Sequence, residues 1–242
     1  MKIIATDFDG TLSYNGKVSE EDKLAIHRFR TAGNKFGIVT GRDVDAAQWI
    51  KPEGGLAFDY LICCTGGVIR DEEGALIYQK KGEVGPFFYD IIEKAMELKA
   101  YCFSVGDVLL KASIDVKGKI PMQLHALKEF THANTGFETE ENAEAYVRYV
   151  NENYGDRISA HRNGRAVDMP PAHTSKVTGI YEYAKRFDHP EIYTVGDNMN
   201  DIAMIREFCG FAVSNAKDEV KEAAKYQCNR IADMIDFIMK EK

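Results

Sequence analysis

Four short, largely apolar runs recur along the chain and form its predicted framework. They lie at residues 2–6, 35–40, 60–64 and 192–195. Their apolar residues follow one another instead of alternating with polar ones, which is typical of strands buried on both faces of a parallel sheet. The pattern therefore predicts a parallel sheet with helices on both sides.

Helix signals fall between these runs. Ser19 is followed three residues later by Asp22, an acidic variant of the capping box, and apolar positions then lead to a helix stop at Gly33. The residues expected to cap two later helices are Asp43, for a helix through Ile50, and Thr174 or Ser175. Strands that alternate with helices predict an α/β fold with a Rossmann-like, doubly wound parallel-sheet core.

The middle of the chain has a different pattern and predicts an inserted domain. Helical patterns at 86–98, 121–130 and 140–154 are separated by strand-like pieces at 100–105 and 157–161, and a hairpin turn at 71–74 precedes them. We expect residues 1–81 and 166–242 to form the core and residues 82–165 to form a smaller α/β domain. Such an insert can hinge over the crevice where the sheet binds ligands.

Composition limits the size and the partners of the protein. A chain of 242 residues with 45% hydrophobic content can bury a sizeable core, and we expect two domains. The net charge is −7 and the 31 basic residues form no Lys/Arg block, which argues against nucleic acid as a partner. A small anionic substrate would have to be attracted locally, by a metal, a lysine or backbone N–H groups.

The cysteines and the apolar runs indicate the compartment. Five cysteines without a Cys-x-x-Cys pair favour unpaired thiols in a reducing cytosol. The apolar run before Asp7 is too short for a signal peptide, and no stretch approaches the length of a membrane span. We therefore expect a cytoplasmic protein with no membrane partner. The six histidines have no zinc-like spacing, so we expect no zinc site.

Two carboxylates stand at the end of the first predicted strand. In extended backbone, Asp7 and Asp9 point to the same side, and Gly10 then lets the chain turn. Like charges about 4 Å apart repel by about 4 kcal/mol at an effective dielectric of 20, so the pair needs a cation, a shared proton or open water. A divalent metal is the simplest solution, and a solvated Asp/Gly turn is the alternative.

Three further groups fall at other strand ends or helix starts, where open α/β sheets bind ligands. Thr40 and Gly41 offer a hydroxyl and an N–H to phosphate oxygens. Lys176 opens a helix and could offset carboxylate and phosphate charge. Asp197 and Asp201 place acidic oxygens between a strand and a helix. Taken singly, each group is equally compatible with an ordinary turn, a surface lysine or a helix cap.

In order and spacing, these motifs resemble the haloacid dehalogenase superfamily. The motifs are Asp-x-Asp-Gly-Thr, Thr-Gly-Arg, a lysine and Gly-Asp-x-x-Asn-Asp. The pattern is similar to that of the Cof-like phosphatases with a type IIB cap, and the resemblance covers nearly the whole chain. Its first and last motifs are specific in combination. The resemblance implies a Rossmann-like core interrupted by an α/β cap domain.

The resemblance also implies roles for individual residues. It assigns catalysis to Asp7, Asp9, Thr40 and Lys176, substrate binding to Thr40, Gly41, Lys176 and Asn200, and metal binding to Asp7, Asp9 and Asp197. Asp7 would be the nucleophile, and Asp9 would protonate the leaving alcohol and then activate water. Mg²⁺ would be held by Asp7, the backbone carbonyl of Asp9, and Asp197. Asn200 and Asp201 would support the metal and the lysine.

The expected function is that of a Mg²⁺-dependent phosphatase acting on a small phosphorylated metabolite, and a sugar phosphate is the expected substrate. A phosphomutase and a non-catalytic sugar-phosphate sensor are the alternatives. The sequence departs from the family where Thr65-Gly66-Gly67 replaces the common Asn-Gly-Ala. The role of Arg42 is open, because it could meet the substrate or tie the core to the cap. Nothing in the sequence indicates an oligomeric state.

Overall fold

The chain forms two compact units in a computed structural model that describes residues 1–47, 50, 56–108, 111–114 and 126–240. The first unit comprises Met1–Tyr78 and Lys176–Lys242, and the second comprises Gln79–Ser175. The strands are β1 (Lys2–Thr6), β2 (Lys35–Val39), β3 (Tyr60–Cys63), β4 (Val68–Asp71), β5 (Leu76–Gln79), β6 (Gly82–Glu83), β7 (Ala100–Gly106), β8 (Lys111–Ile114), β9 (Glu129–Phe130), β10 (His132–Phe137), β11 (His161–Asn163), β12 (Ala166–Met169), β13 (Glu191–Gly196), β14 (Cys209–Val213) and β15 (Tyr226–Cys228). The helices are α1 (Glu20–Thr31), α2 (Val44–Ala47), α3 (Phe87–Glu97), α4 (Glu140–Tyr154), α5 (Lys176–Ala184), α6 (Ile202–Glu207), α7 (Asp218–Ala223) and α8 (Ile231–Lys240).

The sheet of the first unit confirms the predicted α/β core. Within the described residues it has eight strands in the order β15-β14-β13-β1-β2-β3-β4-β5. The strands from β15 to β3 pair in parallel, and β4 returns antiparallel to β3. All four predicted apolar runs are strands of this sheet. Because β13, β1 and β2 are parallel neighbours, their carboxyl ends lie at one edge, where the chain places its acidic motifs.

Two of the predicted helix caps, at Ser19 and Asp43, are confirmed. The Ser19 hydroxyl accepts a hydrogen bond from the Asp22 backbone N–H at 3.1 Å and donates to the Asp22 carboxylate at 2.6 Å, so this cap begins α1. Asp43 caps α2, because its Oδ1 accepts from the Ala46 N–H at 2.8 Å. The expected continuation of α2 to Ile50 crosses positions 48–49, which lie outside the described residues.

Within its described residues, the second unit is an antiparallel sheet with two helices. Its strand order is β11-β12-β10-β7-β8, and β6 and β9 form a separate two-stranded pair. Helices α3 and α4, both predicted from apolar periodicity, pack against the sheet and against each other. The shared core contains the fully buried aromatic side chains Phe88, Phe103, Phe130, Phe137 and Tyr146. This core lies entirely within Gln79–Ser175, so the inserted segment has a hydrophobic centre of its own.

Two local predictions in this unit are wrong. A helix was expected at 121–130, but Glu129–Phe130 is a strand that pairs with Gly82–Glu83, and residues 121–125 lie outside the described part. Gly82 leaves room for the Phe130 ring, which a Cβ there would approach to 2.5 Å. The strand expected at 157–161 instead runs over His161–Asn163.

The boundaries of the second unit differ from the expected 82–165. The unit begins at Gln79 and continues to Ser175, because Ala166–Met169 pairs antiparallel with β10 and so belongs to the inserted sheet. The chain thus re-enters the first unit at Lys176, the first residue of α5. In the part of the chain that the structure describes, no helix is long and apolar enough to cross a membrane.

Candidate active site

The candidate active site lies at the carboxyl edge of the parallel sheet in the first unit. Asp7 directly follows β1, Asp197 directly follows β13, and Lys176 opens α5. The Asp7 backbone N–H donates to the Val195 carbonyl at 2.9 Å, which ties the end of β1 to β13. Three residues far apart in sequence are thereby brought to one place by strand order.

Lys176 is the centre of the site. Its side chain is only 2% exposed, and its Nζ donates to Asp7 Oδ1 and to Asp201 Oδ1, each at 2.6 Å. Burial opposes the ammonium charge, but the carboxylates of Asp201 and Asp7 outweigh it and raise the pKa of Lys176. The ammonium therefore stays charged, and its position is fixed from two sides.

For the neighbouring Asp7, burial disfavours the charged carboxylate and outweighs the attraction of Lys176. It raises the pKa of Asp7 to about 7; Lys176 opposes this shift, and the carboxylates of Asp201 and Asp197 add to it. Burial also raises the pKa of Asp197. Three carboxylates thus face one ammonium in a poorly solvated place, so the cluster has an excess of negative charge that a cation would offset.

Asp201 holds this cluster in place through hydrogen bonds. It is fully buried, and its Oδ2 accepts the backbone N–H groups of Asp197 and Asn198, both at 3.1 Å. A Cβ at Gly196 would lie 2.4 Å from the Asp201 Cβ, so only glycine permits this approach. Both Asp201 oxygens are engaged by Lys176 and the backbone, which makes Asp201 a positioning residue for the lysine and the loop.

The remaining acidic oxygens have the chemistry of a site for a hard cation. Ligand atoms of Asp7, Asp197 and Asp201 lie within 4.8 Å of one another. Asp197 Oδ1 accepts from the Thr11 hydroxyl at 2.7 Å, which leaves Asp197 Oδ2 and Asp7 Oδ2 as the oxygens not bonded to Thr11 or Lys176. Carboxylate oxygens are the ligands preferred by Mg²⁺ and Ca²⁺. The donor set therefore fits the expected metal.

Gly10 brings the first loop against this cluster. Its φ is +85°, and a Cβ there would lie 2.6 Å from Asp197 Oδ2. Both the left-handed backbone and the close approach require glycine. The Gly10 carbonyl accepts from Asn215 Nδ2 at 2.9 Å, and Asn215 Oδ1 accepts from the Tyr14 hydroxyl at 2.8 Å. The tether through Asn215 was not predicted, because no local pattern links positions 205 residues apart.

Thr40 and Gly41 follow β2, the neighbour of β1. Thr40 is buried, and its Oγ1 accepts from the Arg42 N–H at 3.1 Å. Gly41 is half-buried, as is Asn200, which lies in the short 3₁₀ turn Met199–Asp201. These three residues share the strand edge with the acidic cluster, where they were expected to bind substrate.

The side chain of Asp9, which was predicted to act in catalysis, is paired with Arg42. Its carboxylate is 56% exposed and accepts two hydrogen bonds from Arg42, at 2.6 and 2.8 Å. From the sequence, Arg42 could either meet the substrate or tie the core to the cap. In the structure its guanidinium pairs with Asp9. A basic residue two positions after Thr40 was the available signal, but sequence spacing does not specify which acid an arginine meets.

Thr65 occupies a strained turn next to Thr40. Its φ is 53°, as is that of Cys64, and its backbone N–H donates to the Thr40 carbonyl at 3.1 Å. The Thr65 hydroxyl is buried and has no hydrogen-bond partner among the described residues. A β-branched residue is uncommon in this left-handed region.

Comparisons with known proteins agree on one family. The family of haloacid dehalogenase-like hydrolases matches residues 4–234. The 5-amino-6-(5-phospho-D-ribitylamino)uracil phosphatase YcsE of Bacillus subtilis is 25% identical over 240 residues, which cover 93% of this chain and 89% of that protein. A solved phosphatase, BT1666 of Bacteroides thetaiotaomicron, superposes with a TM-score of 0.78 at 23% identity and covers 99% of this chain and 94% of its own. The subclass IIB sugar phosphatase BT4131 superposes with a TM-score of 0.74 at 19% identity, with 99% of each chain covered.

Proposed function

The chain belongs to the haloacid dehalogenase-like hydrolases, as a phosphoric monoester hydrolase, and we propose that it removes phosphate from a small metabolite through an aspartyl-phosphate intermediate. The observation that carries this proposal is the buried Lys176 ammonium held between Asp7 and Asp201. The ammonium fixes the orientation of the Asp7 carboxylate by contacting one of its two oxygens. A lysine buried between two carboxylates at the carboxyl edge of a parallel sheet is typical of a functional site.

In the proposed reaction, a carboxylate oxygen of Asp7 attacks phosphorus, forming the Asp7–phosphoryl bond while the bond to the leaving oxygen breaks. Asp9 gives its proton to that oxygen, so an alcohol leaves. A water then attacks the phosphoryl group and transfers its proton to Asp9, which releases phosphate and restores the Asp7 carboxylate. Lys176 offsets the negative charge that gathers on the nucleophile and on the phosphoryl oxygens.

The metal and substrate contacts complete the proposal. Asp7, the backbone carbonyl of Asp9, and Asp197 would hold Mg²⁺, which would screen the repulsion between a carboxylate and a phosphate dianion. Thr40, Gly41 and Asn200 would bind phosphoryl oxygens. Gln79–Ser175 would act as the cap. The subclass IIB sugar phosphatase BT4131 shares this fold, which supports a sugar phosphate as the substrate class.

The test is phosphate release from p-nitrophenyl phosphate and from a panel of sugar phosphates, with Mg²⁺ and with EDTA. The wild type should need Mg²⁺. Asp7→Asn should abolish turnover while leaving the fold intact, because it replaces the nucleophile with a near isostere. Acid quenching during turnover should trap phosphate on the wild-type chain but not on this variant.

Asp188→Asn is the matched control, because the same chemical change is made on a side chain that is 98% exposed. It should behave as the wild type does. Turnover by Asp7→Asn, or full activity in EDTA, would contradict the mechanism. Binding of sugar phosphates without any release would indicate a sensor, and transfer of the phosphoryl group to a second sugar hydroxyl would indicate a phosphomutase.

A further inference from the structure

Arg42 and Asp9 form a two-point ion pair beside the proposed nucleophile, and the mechanism above gives Arg42 no role. Arg42 Nη2 donates to Asp9 Oδ1 at 2.6 Å, and Arg42 Nε donates to Asp9 Oδ2 at 2.8 Å. A guanidinium that donates twice fixes the rotation of a carboxylate as well as its distance. The direction in which Asp9 presents its oxygens is therefore set by Arg42.

The arginine is itself fixed by its surroundings. Its guanidinium lies over the Phe8 ring, 5.2 Å from the centroid, and Nη1 is 3.5 Å from the Ala46 carbonyl. Its backbone N–H donates to Thr40 Oγ1, and its carbonyl accepts from the Cys64 N–H at 2.8 Å. Arg42 thus contacts the loops that follow β1, β2 and β3, so the positions of these loops determine where Arg42 holds Asp9.

Stability is a poor explanation for this pair. The Arg42 and Asp9 side chains are 33% and 56% exposed, and exposed ion pairs contribute little to folding. The same chain has an ordinary pair of this kind, in which Arg28 and Asp236 are both more than half exposed. The Arg42 pair differs because it has two donors, because an aromatic ring backs the guanidinium, and because its acid is the proposed proton donor.

We propose, resting on the proposed function, that Arg42 is the positioning residue for the Asp9 acid/base. Both Asp9 oxygens accept hydrogen bonds in this arrangement, so it fits the carboxylate that receives the proton of the attacking water. When Asp9 carries a proton for the leaving oxygen, at least one arm of the pair opens. Arg42 then restores the carboxylate to the same orientation for the second step.

The test measures the rates at which Arg42→Ala and the wild type hydrolyse two substrates of nearly equal size. p-Nitrophenolate leaves with little help from an acid, whereas phenolate, with an affinity for protons like that of a tyrosine side chain, needs more. The kcat for phenyl phosphate should fall at least tenfold further than the kcat for p-nitrophenyl phosphate, with KM nearly unchanged for both. Arg42→Lys should recover part of the loss, since it restores the charge but only one donor position.

A second measurement places Arg42→Ala in an Asp9→Asn background. If Arg42 acts through Asp9, the double variant should be no slower on p-nitrophenyl phosphate than Asp9→Asn alone. Equal losses on both substrates, or a further loss in the double variant, would overturn the proposal and indicate direct contact with the phosphoryl group. An unchanged rate in Arg42→Ala would also overturn it.

Controls separate the possible causes of a loss. Arg28→Ala removes the ordinary exposed pair and should leave the ratio of the two substrate rates unchanged. Thermal melts of all variants report whether folding accounts for a loss. Turnover by Asp7→Asn would reject the underlying mechanism, whereas an inactive Asp7→Asn with a normal substrate ratio in Arg42→Ala rejects only the role of Arg42.

Discussion

The two sides of the acidic site are built on different principles. On the side of α5 and β13, Lys176 and Asp201 are buried and every charged oxygen of Asp201 has a partner. On the side of β2, Asp9 and Arg42 are partly exposed, and the buried hydroxyl of Thr65 has no hydrogen-bond partner among the described residues. One side buries its charges, and the other leaves the charges of Asp9 and Arg42 partly exposed to solvent.

The difference follows from the work proposed for each side. A charge that stabilises a phosphoryl group is most effective when it is in place before the substrate arrives and is shielded from water. A group that exchanges protons with a leaving alcohol and with water has to reach both. Burial therefore suits Lys176, whereas partial exposure suits Asp9.

The largest expected effect comes from breaking the buried side. Lys176→Met would leave Asp7 and Asp201 buried without their ammonium, and removing one partner of a buried ion pair costs about 3–5 kcal/mol of folding free energy. The rate of phosphate release should fall by roughly 10² or more. Urea denaturation and phosphate release measure the two losses.

A matched surface change gives the scale for this result. Lys185→Met removes an ammonium that is 67% exposed and paired with Glu182, so it should change stability by no more than about 0.5 kcal/mol. Adding Asp201→Asn to Lys176→Met should recover part of the stability, because it removes one of the uncompensated charges, but it should not recover activity. Similar losses in Lys176→Met and Lys185→Met would contradict the contrast between the two environments.

The buried side was largely predictable from the sequence. Continuous apolar runs indicated β1, β2 and β13, and parallel strands bring their carboxyl ends together, which predicts that Asp7 and Asp197 meet. The capping pattern at Ser19 and Asp22 was equally local and was confirmed. In each case the signal lies within a few residues, or in a rule that applies to all parallel sheets.

The features that were missed depend on contacts between distant segments. Glu129–Phe130 became a strand because Gly82–Glu83 supplied a partner, and apolar spacing at 121–130 does not reveal such a partner. The inserted unit extends to Ser175 because β12 pairs with β10, again across many residues. The two hydrogen bonds from Arg42 to Asp9 depend on two side-chain orientations and on a loop conformation, none of which the sequence specifies.

The next effect tests how closely the first loop has to approach the proposed metal site. At Gly10 a Cβ would lie 2.6 Å from Asp197 Oδ2, and the φ of +85° strains any other residue. Gly10→Ala should therefore displace the Asp197 carboxylate and raise the Mg²⁺ concentration for half-maximal activity roughly tenfold or more, as loss of support around a metal ligand generally does. A Mg²⁺ titration of phosphate release measures this shift.

Gly33 separates crowding from backbone strain. Its φ is +84°, but apart from its chain neighbours no described residue lies within 4 Å of the position of its Cβ. Gly33→Ala should lose about 1 kcal/mol of stability through the left-handed backbone and leave the Mg²⁺ dependence unchanged. Equal Mg²⁺ titrations for Gly10→Ala and the wild type would mean that the loop tolerates the added methyl group and that the close approach has no role in binding the ion.

The smallest expected effect is at the buried Thr65, beside Thr40, and has the opposite sign. Thr65 is held at a φ of 53°, where an L-residue pays about 1–2 kcal/mol and asparagine is better tolerated. Thr65→Asn should therefore stabilise the protein by about 1 kcal/mol, which raises Tm by roughly 2–4 °C for a domain of this size. Thr65→Ser keeps a hydroxyl but removes the β-branch, so its gain should be smaller. Calorimetric melts measure both variants, and a fall in Tm for both would contradict the strain that we assign to this turn. A gain confined to Thr65→Asn would show that the side of β2 keeps, at position 65, a residue that folding alone does not favour.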